Sequence, residues 1–212
     1  MSRETIIRWS FFVFGLIILA FGIALTIKGK DLGIGPWDVF HYGLFLQFGL
    51  SIGTWAIIAG FIILFATSLA TKSFPKIGAV LNMLLLGGFI DFFNYILPDP
   101  ESMWIKTVVF IIGVIIMGYG IGLYVAPGLG AGPRDGLMLI IVEKTGWSVK
   151  WVRNGTEIIV FLLGWMLGGP VGIGTIFIAF FLGPLIGVSL PQCRGFLQAL
   201  LEQKRNSNSV TI

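Results

Sequence analysis

The seven residues Leu32-Gly33-Ile34-Gly35-Pro36-Trp37-Asp38 return later in the chain as Leu129-Gly130-Ala131-Gly132-Pro133-Arg134-Asp135. Subtracting 35 from 132 gives a spacing of 97 residues between the two copies, which is close to half of the 212-residue chain. A phrase repeated at this spacing indicates that one structural unit occurs twice.

The similarity extends on both sides of the phrase. Three further pairs occupy corresponding places: Phe21-Gly22 with Tyr119-Gly120, Gly49-Leu50-Ser51-Ile52 with Gly146-Trp147-Ser148-Val149, and Ile77-Gly78 with Ile173-Gly174. These pairs indicate that the whole unit is duplicated. In membrane proteins, a duplication of this kind usually surrounds a transport pathway.

Composition places the chain in a lipid bilayer. Hydrophobic residues make up 56% of it and charged residues 11%, whereas a soluble domain carries about 25% charged residues. The net charge of +4 comes mostly from residues beside the apolar stretches, so it points to lipid headgroups and not to nucleic acid. The single cysteine, Cys193, excludes an internal disulfide and a multi-cysteine metal site.

Six apolar stretches approach or exceed the length of about 18–20 residues that spans the hydrocarbon of a bilayer. They are 6–27, 55–70, 77–97, 107–125, 152–167 and 171–190. Two shorter segments, 36–48 and 133–145, start at a Gly-x-Gly-Pro sequence and stop at a glycine, which predicts two short helices. Each would be about 18 Å long and would cover only about half of the hydrocarbon thickness.

The positive charges favour six spans with a cytoplasmic N-terminus. In that arrangement, three of the 14 basic residues lie outside: Lys28, Lys30 and Lys106. If both short helices crossed the membrane fully, five would lie outside: Lys28, Lys30, Lys72, Lys76 and Arg134. Because three spans per unit is an odd number, the second unit must begin on the opposite side from the first.

We therefore predict an all-α polytopic membrane protein with two inverted-topology repeats, each of three transmembrane helices and one short half-helix. Repeat 1 covers residues 1–98, repeat 2 covers 99–194, and a cytoplasmic tail covers 195–212, all within one membrane domain. Small-residue spacings such as Gly118-x-x-x-Gly122 favour close packing within the chain, with a homo-oligomer as the alternative.

The repeated phrase is the predicted binding site. Gly33 and Gly35 in the first copy, and Gly130 and Gly132 in the second, precede helix starts whose backbone amides lack helical partners. Irregular backbone at membrane depth survives only where protein or a water-filled cavity covers it. Two half-helix starts, each with a partial positive charge, would together form a site for an anion, a carboxylate or another polar solute.

Asp38 and Asp135 are open to two interpretations. Each carboxylate could accept the free amides of its own helix start, or the two could form a pseudo-symmetric pair of proton or cation sites. Trp37 and Arg134 occupy equivalent positions but differ in kind, so the predicted site is not symmetric. Arg134 could repel cations or bind an anionic solute at depth, or it could reach the cytoplasmic headgroups.

Three further polar residues are candidates for moving protons or ions. His41 follows Asp38 by one helical turn, so the two could form a proton-shuttling pair, or the histidine could simply be hydrogen-bonded. Asp91 lies in an apolar span and is expected to face the bundle or its outer mouth. Glu157 is a proton-site candidate, and its spacing of four from Arg153 also predicts a local ion pair.

Enzyme signatures are missing from the sequence. It has neither a His-Glu-x-x-His metal helix nor a Gly-x-Ser-x-Gly nucleophile elbow. We expect no catalytic activity, no metal and no cofactor.

The first phrase, its short apolar helix, Gly49-Leu50-Ser51-Ile52-Gly53-Thr54 and Ile77-Gly78-Ala79 resemble the YczE/YyaS/YitT group of bacterial integral membrane proteins. The resemblance covers nearly the whole chain and departs at Arg134, which stands where the first copy has Trp37. It implies a bacterial inner membrane location and brings no functional residues with it.

The function predicted from the sequence is transport. We expect a transporter or channel for a small polar or anionic solute, with its site at the two half-helix starts and both chain termini in the cytoplasm. The alternative is a membrane scaffold or accessory factor that helps another membrane or biosynthetic machine and moves nothing. Transport predicts a cavity that reaches both glycine loops, whereas a scaffold predicts a packed centre.

Overall fold

The computed structural model describes residues 2–130 and 132–209, and of residues 203–209 the backbone alone. Ala131 of the second phrase and residues 210–212 of the predicted tail lie outside the described residues. The helices are α1 (Arg3–Lys28), α2 (Pro36–Phe48), α3 (Ile52–Thr71), α4 (Ile77–Ile96), α5 (Met103–Val125), α6 (Pro133–Thr145), α7 (Val149–Met166) and α8 (Ile173–Ser209). A short 3-10 turn, Lys30–Leu32, precedes α2.

Five of these helices, among the described residues, are long and apolar enough to cross a membrane: α1, α3, α4, α5 and α8. The predicted span 152–167 falls in α7, which is not in this set. The physical reason is charge, because α7 carries Lys150, Arg153 and Glu157 in its first half. Apolar side chains dominate its second half.

The two short helices have the predicted bounds, because both of their ends are set by local signals. Each begins at a proline, which needs no amide partner in a first helical turn, after a glycine in an extended conformation. Each ends before a glycine with a positive φ angle, 73° at Gly49 and 71° at Gly146. Ser51 and Ser148, two residues after these glycines, cap the next helices by accepting amides from the first turns of α3 and α7.

Helix α1 lies at the centre and packs most closely on α5. Its Phe12 and Leu16 side chains are fully buried. A side chain at Gly15 would overlap the backbone of Tyr124, while one at Gly22 would meet the backbone nitrogen of Met117 at 2.7 Å. The contacts move towards the start of α5 as they move towards the end of α1, so the two helices are antiparallel. Glycine allows this close approach of the two backbones.

Helix α8 is longer than the predicted last span. It continues through Pro184 and Pro191 to Ser209, so the described part of the predicted tail from residue 195 extends the same helix. The prolines are accommodated inside the helix and do not end it.

Candidate functional site

The glycine loops before α2 and α6 each pack against the start of a helix from the other half of the chain. Gly33 lies so close to the backbone of Gly172, just before α8, that a side chain there would overlap it. In the other half, Gly78 in the first turn of α4 is equally close to the carbonyl of Leu129. The two loops therefore make reciprocal contacts, each with the third long helix of the opposite half.

The next glycine of each loop continues this pattern. A side chain at Gly35 would approach Ile178 of α8 at 3.7 Å, while one at Gly132 would meet the amide oxygen of Asn82 in α4 at 3.0 Å. Ile178 and Asn82 occupy the same position, five residues after the first residue of their helices. The chemical difference between them places a polar amide beside the second loop only.

The starts of α2 and α6 meet directly. The guanidinium carbon of Arg134 lies 4.4 Å from the centre of the Trp37 ring, which is a cation–π contact. These two residues are the equivalent members of the two repeated phrases. The contact therefore joins the two halves at equivalent positions, one of which holds an aromatic side chain and the other a cationic one.

A cavity of about 800 Å³ lies beside this contact and reaches both loops. Eight of the predicted site residues line it: Gly35, Trp37, Asp38, His41, Gly130, Gly132, Arg134 and Asp135. Glu157 also lines it, whereas Gly33 is buried behind the wall against α8. The wall is mainly apolar between these groups, as is usual for a cavity that holds a small molecule.

Asp38 and Asp135 have different surroundings. Asp38 is 4% exposed and makes neither a hydrogen bond nor an ion pair with any residue that the structure describes. In particular, it accepts no amide from the start of its own helix. Asp135 accepts a hydrogen bond from the hydroxyl of Tyr124, with an oxygen–oxygen distance of 3.4 Å. The two equivalent aspartates of the repeated phrases thus differ, since Asp135 has a hydrogen-bond donor and Asp38 has none among the described residues.

His41 adds a second buried polar group. It is 1% exposed, and both of its ring nitrogens lack a hydrogen-bond partner among the described residues. The side-chain nitrogen of Asn82 is also buried without a partner. Buried polar groups are nearly always hydrogen-bonded to protein or to water, so such groups on a cavity wall are available to a ligand.

Sequence reasoning did not assign Asn82 and Tyr124 to the site, although both line the cavity. Asn82 had a detectable signal, because an amide in the middle of an apolar span is costly unless it has a partner or faces a polar cavity. Tyr124 had no comparable signal, since tyrosine near a span end is common as an interfacial anchor.

One end of the cavity is basic. Lys76 before α4, Arg153 near the start of α7 and Arg194 within α8 line it, and Arg153 forms the predicted ion pair with Glu157 at 3.1 Å. This end also holds the start of α7.

A separate charged cluster, which does not line the cavity, lies at the C-terminal end of α1. Lys28 pairs with Asp99 at 2.8 Å, and Lys106 pairs with Asp31. The amine of Lys30 donates to the hydroxyl of Tyr42 at 2.8 Å, a contact that raises the pKa of Lys30. Among the described residues, the cavity wall therefore includes the basic groups at one end of the bundle and none of this cluster at the other.

Asp91 lies away from the cavity and stabilises a helix start. Its carboxylate accepts the backbone amide of Gly53 at 2.7 Å and the hydroxyl of Ser51 at 2.5 Å. These bonds anchor the start of α3 to α4. Within the part of the chain that the structure describes, no group of three or more His, Cys, Asp or Glu residues is placed to hold a metal ion.

Comparisons with known proteins identify relatives along nearly the full length. Residues 6–191 match the family of unknown function DUF6198. The chain is 56% identical to the uncharacterized membrane protein YczE of Bacillus subtilis (strain 168), over 91% of this chain and 89% of the relative. It is 36% identical to an uncharacterized protein of Haemophilus influenzae, over 84% of this chain and 80% of the relative.

The uncharacterized protein YyaS of Bacillus subtilis is 27% identical over 87% of this chain and 92% of the relative. The resemblance to the YczE and YyaS proteins is thus confirmed. No solved structure gives a significant match to the chain. The relatives and the five apolar helices together show a membrane protein with transmembrane helices.

Proposed function

This chain belongs to the DUF6198 family, and we propose from the geometry of its cavity that it is a transporter or channel for a small polar or anionic solute. The solute occupies the cavity between the starts of α2 and α6. The observation that carries the proposal is the cavity of about 800 Å³ whose wall includes both glycine loops, with Asp38 and Arg134 facing it without ionic partners. A structural scaffold has no need for such groups at its centre.

The contacts between the halves support an inverted-repeat architecture. The packing of Gly33 on the start of α8 is matched by that of Leu129 on the start of α4. In addition, α1 and α5, the first long helices of the two halves, are antiparallel. A pseudo-two-fold axis between the halves would produce both features, as in transporters with inverted repeats. In the orientation with both termini in the cytoplasm, the basic end of the cavity opens to the cytoplasm.

A flux assay tests the proposal. Purified protein in liposomes is given a panel of radiolabelled anions and polar metabolites, and uptake is compared with that of protein-free liposomes. We expect uptake of at least one compound, reduced at least tenfold by Asp38→Asn and by Asp135→Asn. Glu143→Gln is the matched control, because Glu143 is exposed on α6 and does not line the cavity. Uptake that is unchanged in both aspartate variants would contradict the assignment of the site.

The scaffold alternative has one observation in its favour. A shallow, mainly apolar groove on α1 is lined by Ile6, Trp9, Ser10, Val13, Phe14 and Ile17, and a partner helix could pack there. The scaffold hypothesis predicts that no compound of the panel crosses the liposome membrane. It also predicts that substitutions in this groove, and not at Asp38, disturb the cell.

A further inference from the structure

We infer that the cavity binds a small monovalent carboxylate, or an oxyanion of similar shape, at Arg134 together with one proton on Asp38. The inference rests on the proposed function, because it names the class of solute that the same cavity would carry. It predicts that the anion and the proton bind, and therefore move, as a pair.

The anion half of the site is built around Arg134. Its guanidinium forms no ion pair with any carboxylate that the structure describes, and the face of the Trp37 ring holds it in place. The N–H groups of a guanidinium form a planar fork that matches the two oxygens of a carboxylate. The unpartnered amide nitrogen of Asn82, which also lines the cavity, supplies a further donor. The two helix starts add partial positive charge.

The proton half of the site is assigned to Asp38 by comparison with Asp135. The carboxylate of Asp135 accepts the hydroxyl of Tyr124 and so already has a hydrogen-bond donor. Asp38 is buried and has no donor among the described residues. A buried carboxylate without a partner is the one that gains most from accepting a proton. His41, one turn later with both ring nitrogens free of partners, lies where it can pass that proton.

Charge balance then couples the two halves. The Arg134 cation and the Asp38 and Asp135 carboxylates all line the cavity without forming ion pairs among the described residues, while Arg153 and Glu157 form a neutral pair. Adding a bare anion would leave a further uncompensated negative charge in a poorly solvated cavity, which is costly. A proton that moves from the solution to the Asp38 carboxylate offsets one negative charge. The balance therefore favours a monovalent anion over a divalent one.

Other titratable groups on the cavity wall could also make anion binding depend on pH. Lys76 and Arg194 are exposed at the basic end, where they attract anions, and neither forms an ion pair with Asp38. Besides Asp38, the remaining titratable groups on the wall are Arg134, Asp135, Tyr124, His41 and the paired Arg153 and Glu157. Of these, only His41 ordinarily titrates near neutral pH, so the experiment must separate it from Asp38.

The test is the dependence of anion affinity on pH. Dissociation constants of formate, acetate, lactate, chloride and sulfate are measured by calorimetry on the purified full-length protein in detergent, at pH 8 and pH 7. If one proton binds with each anion, the affinity for a monovalent carboxylate rises about tenfold for this change of one pH unit. Sulfate should bind at least tenfold more weakly than the best carboxylate. Absence of carboxylate binding, or binding that does not change with pH, would overturn the inference.

Variants assign the two halves to residues. Asp38→Asn should bind the carboxylate with the same affinity at both pH values, whereas His41→Gln should keep the tenfold change. Arg134→Gln should weaken binding at least tenfold, and Arg134→Lys should weaken it less, since it keeps the charge and loses the fork. Lys144→Gln, an exposed position on the same helix, is the control for loss of positive charge. A pH dependence that survives Asp38→Asn contradicts the assignment.

Binding and transport fail in different ways. Proton-coupled binding in detergent without any flux in liposomes would reject the proposed transport function and leave the binding site intact. Flux of an anion without coupled proton binding would keep the transport function and reject this inference. If the binding measurements show no effect of Asp38→Asn, the assignment of the proton to Asp38 is rejected and the transport function is not.

Discussion

At the scale of the residue, two neighbouring glycines of α4 have opposite surroundings. A methyl group at Gly87 would meet the Ile57 side chain at 2.5 Å and the carbonyl oxygen of Gly53 at 2.6 Å, whereas nothing lies within 4 Å of one at Gly88. Gly87 thus allows α3 and α4 to touch. The absence of a side chain at Gly88 has no packing reason among the described residues.

This difference predicts opposite effects of the same substitution. Gly87→Ala should destabilise the protein by about 1–3 kcal/mol, because the helices must move apart. Gly88→Ala should be neutral or stabilising by up to about 1 kcal/mol, since alanine is the better helix former. Thermal unfolding of both variants in the same detergent measures the effect. Equal melting temperatures for the two variants would show that the α3–α4 contact is looser than described.

At the scale of the element, the two half-helices share their bounds but differ in packing. Gly43 of α2 lies against the carbonyl oxygen of Gly164 in α7, which a side chain would meet at 2.8 Å. At the 97-residue spacing, the equivalent positions hold Ile140 and Thr67. Glycine therefore permits the backbones of α2 and α7 to approach closely. The equivalent positions of α6 and α3 hold larger side chains, so this glycine contact is not repeated there. This asymmetry accompanies a cavity wall that, among the described residues, includes the basic groups at only one end of the bundle.

The connection between α4 and α5 makes a prediction about pH. Lys28 at the end of α1 donates to Asp99 at 2.8 Å, and this bond lowers the pKa of Asp99 from its ordinary value of 3.8. A lowered pKa in the folded state means that the stabilisation is fully present above pH 3.8 and is lost as the pH falls below it. Because the Asp99 side chain is 83% exposed, the contribution is small.

The measurement compares melting temperatures of the wild-type protein and of Asp99→Asn between pH 7 and pH 3. The wild type should be slightly more stable at pH 7, and the difference should shrink as the pH falls below about 4. Salt should reduce the difference at pH 7, because the Asp99 side chain is exposed. A difference that grows towards low pH would contradict the contact.

At the scale of the whole molecule, the antiparallel packing of α1 on α5 and the reciprocal contacts of the loops are what two units of opposite orientation would produce. Cysteines placed at positions 30 and 130, in a background without Cys193, test this orientation in cells. We expect a membrane-impermeant thiol reagent to label position 30 from outside and position 130 only after the membrane is opened. Labelling of both positions from one side would contradict inverted topology.

Much of the helical arrangement could be predicted, because its signals are local. The bounds of α2 and α6 follow from a proline at one end and a glycine at the other, and the caps at Ser51 and Ser148 follow from their spacing to these glycines. The end of α8 was not predicted, since the predicted span 171–190 stops just before Pro191, whereas the helix continues through that proline. Hydropathy also predicted a membrane span in α7. The first half of α7 carries three charged residues, so whether this helix spans the membrane depends on the groups that those charges contact.

By itself, the sequence determined that the chain is an apolar, duplicated bundle with two short helices, because composition, periodicity and turn residues act over a few positions. Only the tertiary structure decided which polar groups have partners. It brings Asp91 to the start of α3, Tyr124 to Asp135 and Arg134 to the face of Trp37, and it leaves Asp38 and His41 without a described partner on a cavity wall. The physical reason is that hydrogen bonds and burial depend on groups from distant parts of the chain, whose separation no local pattern records.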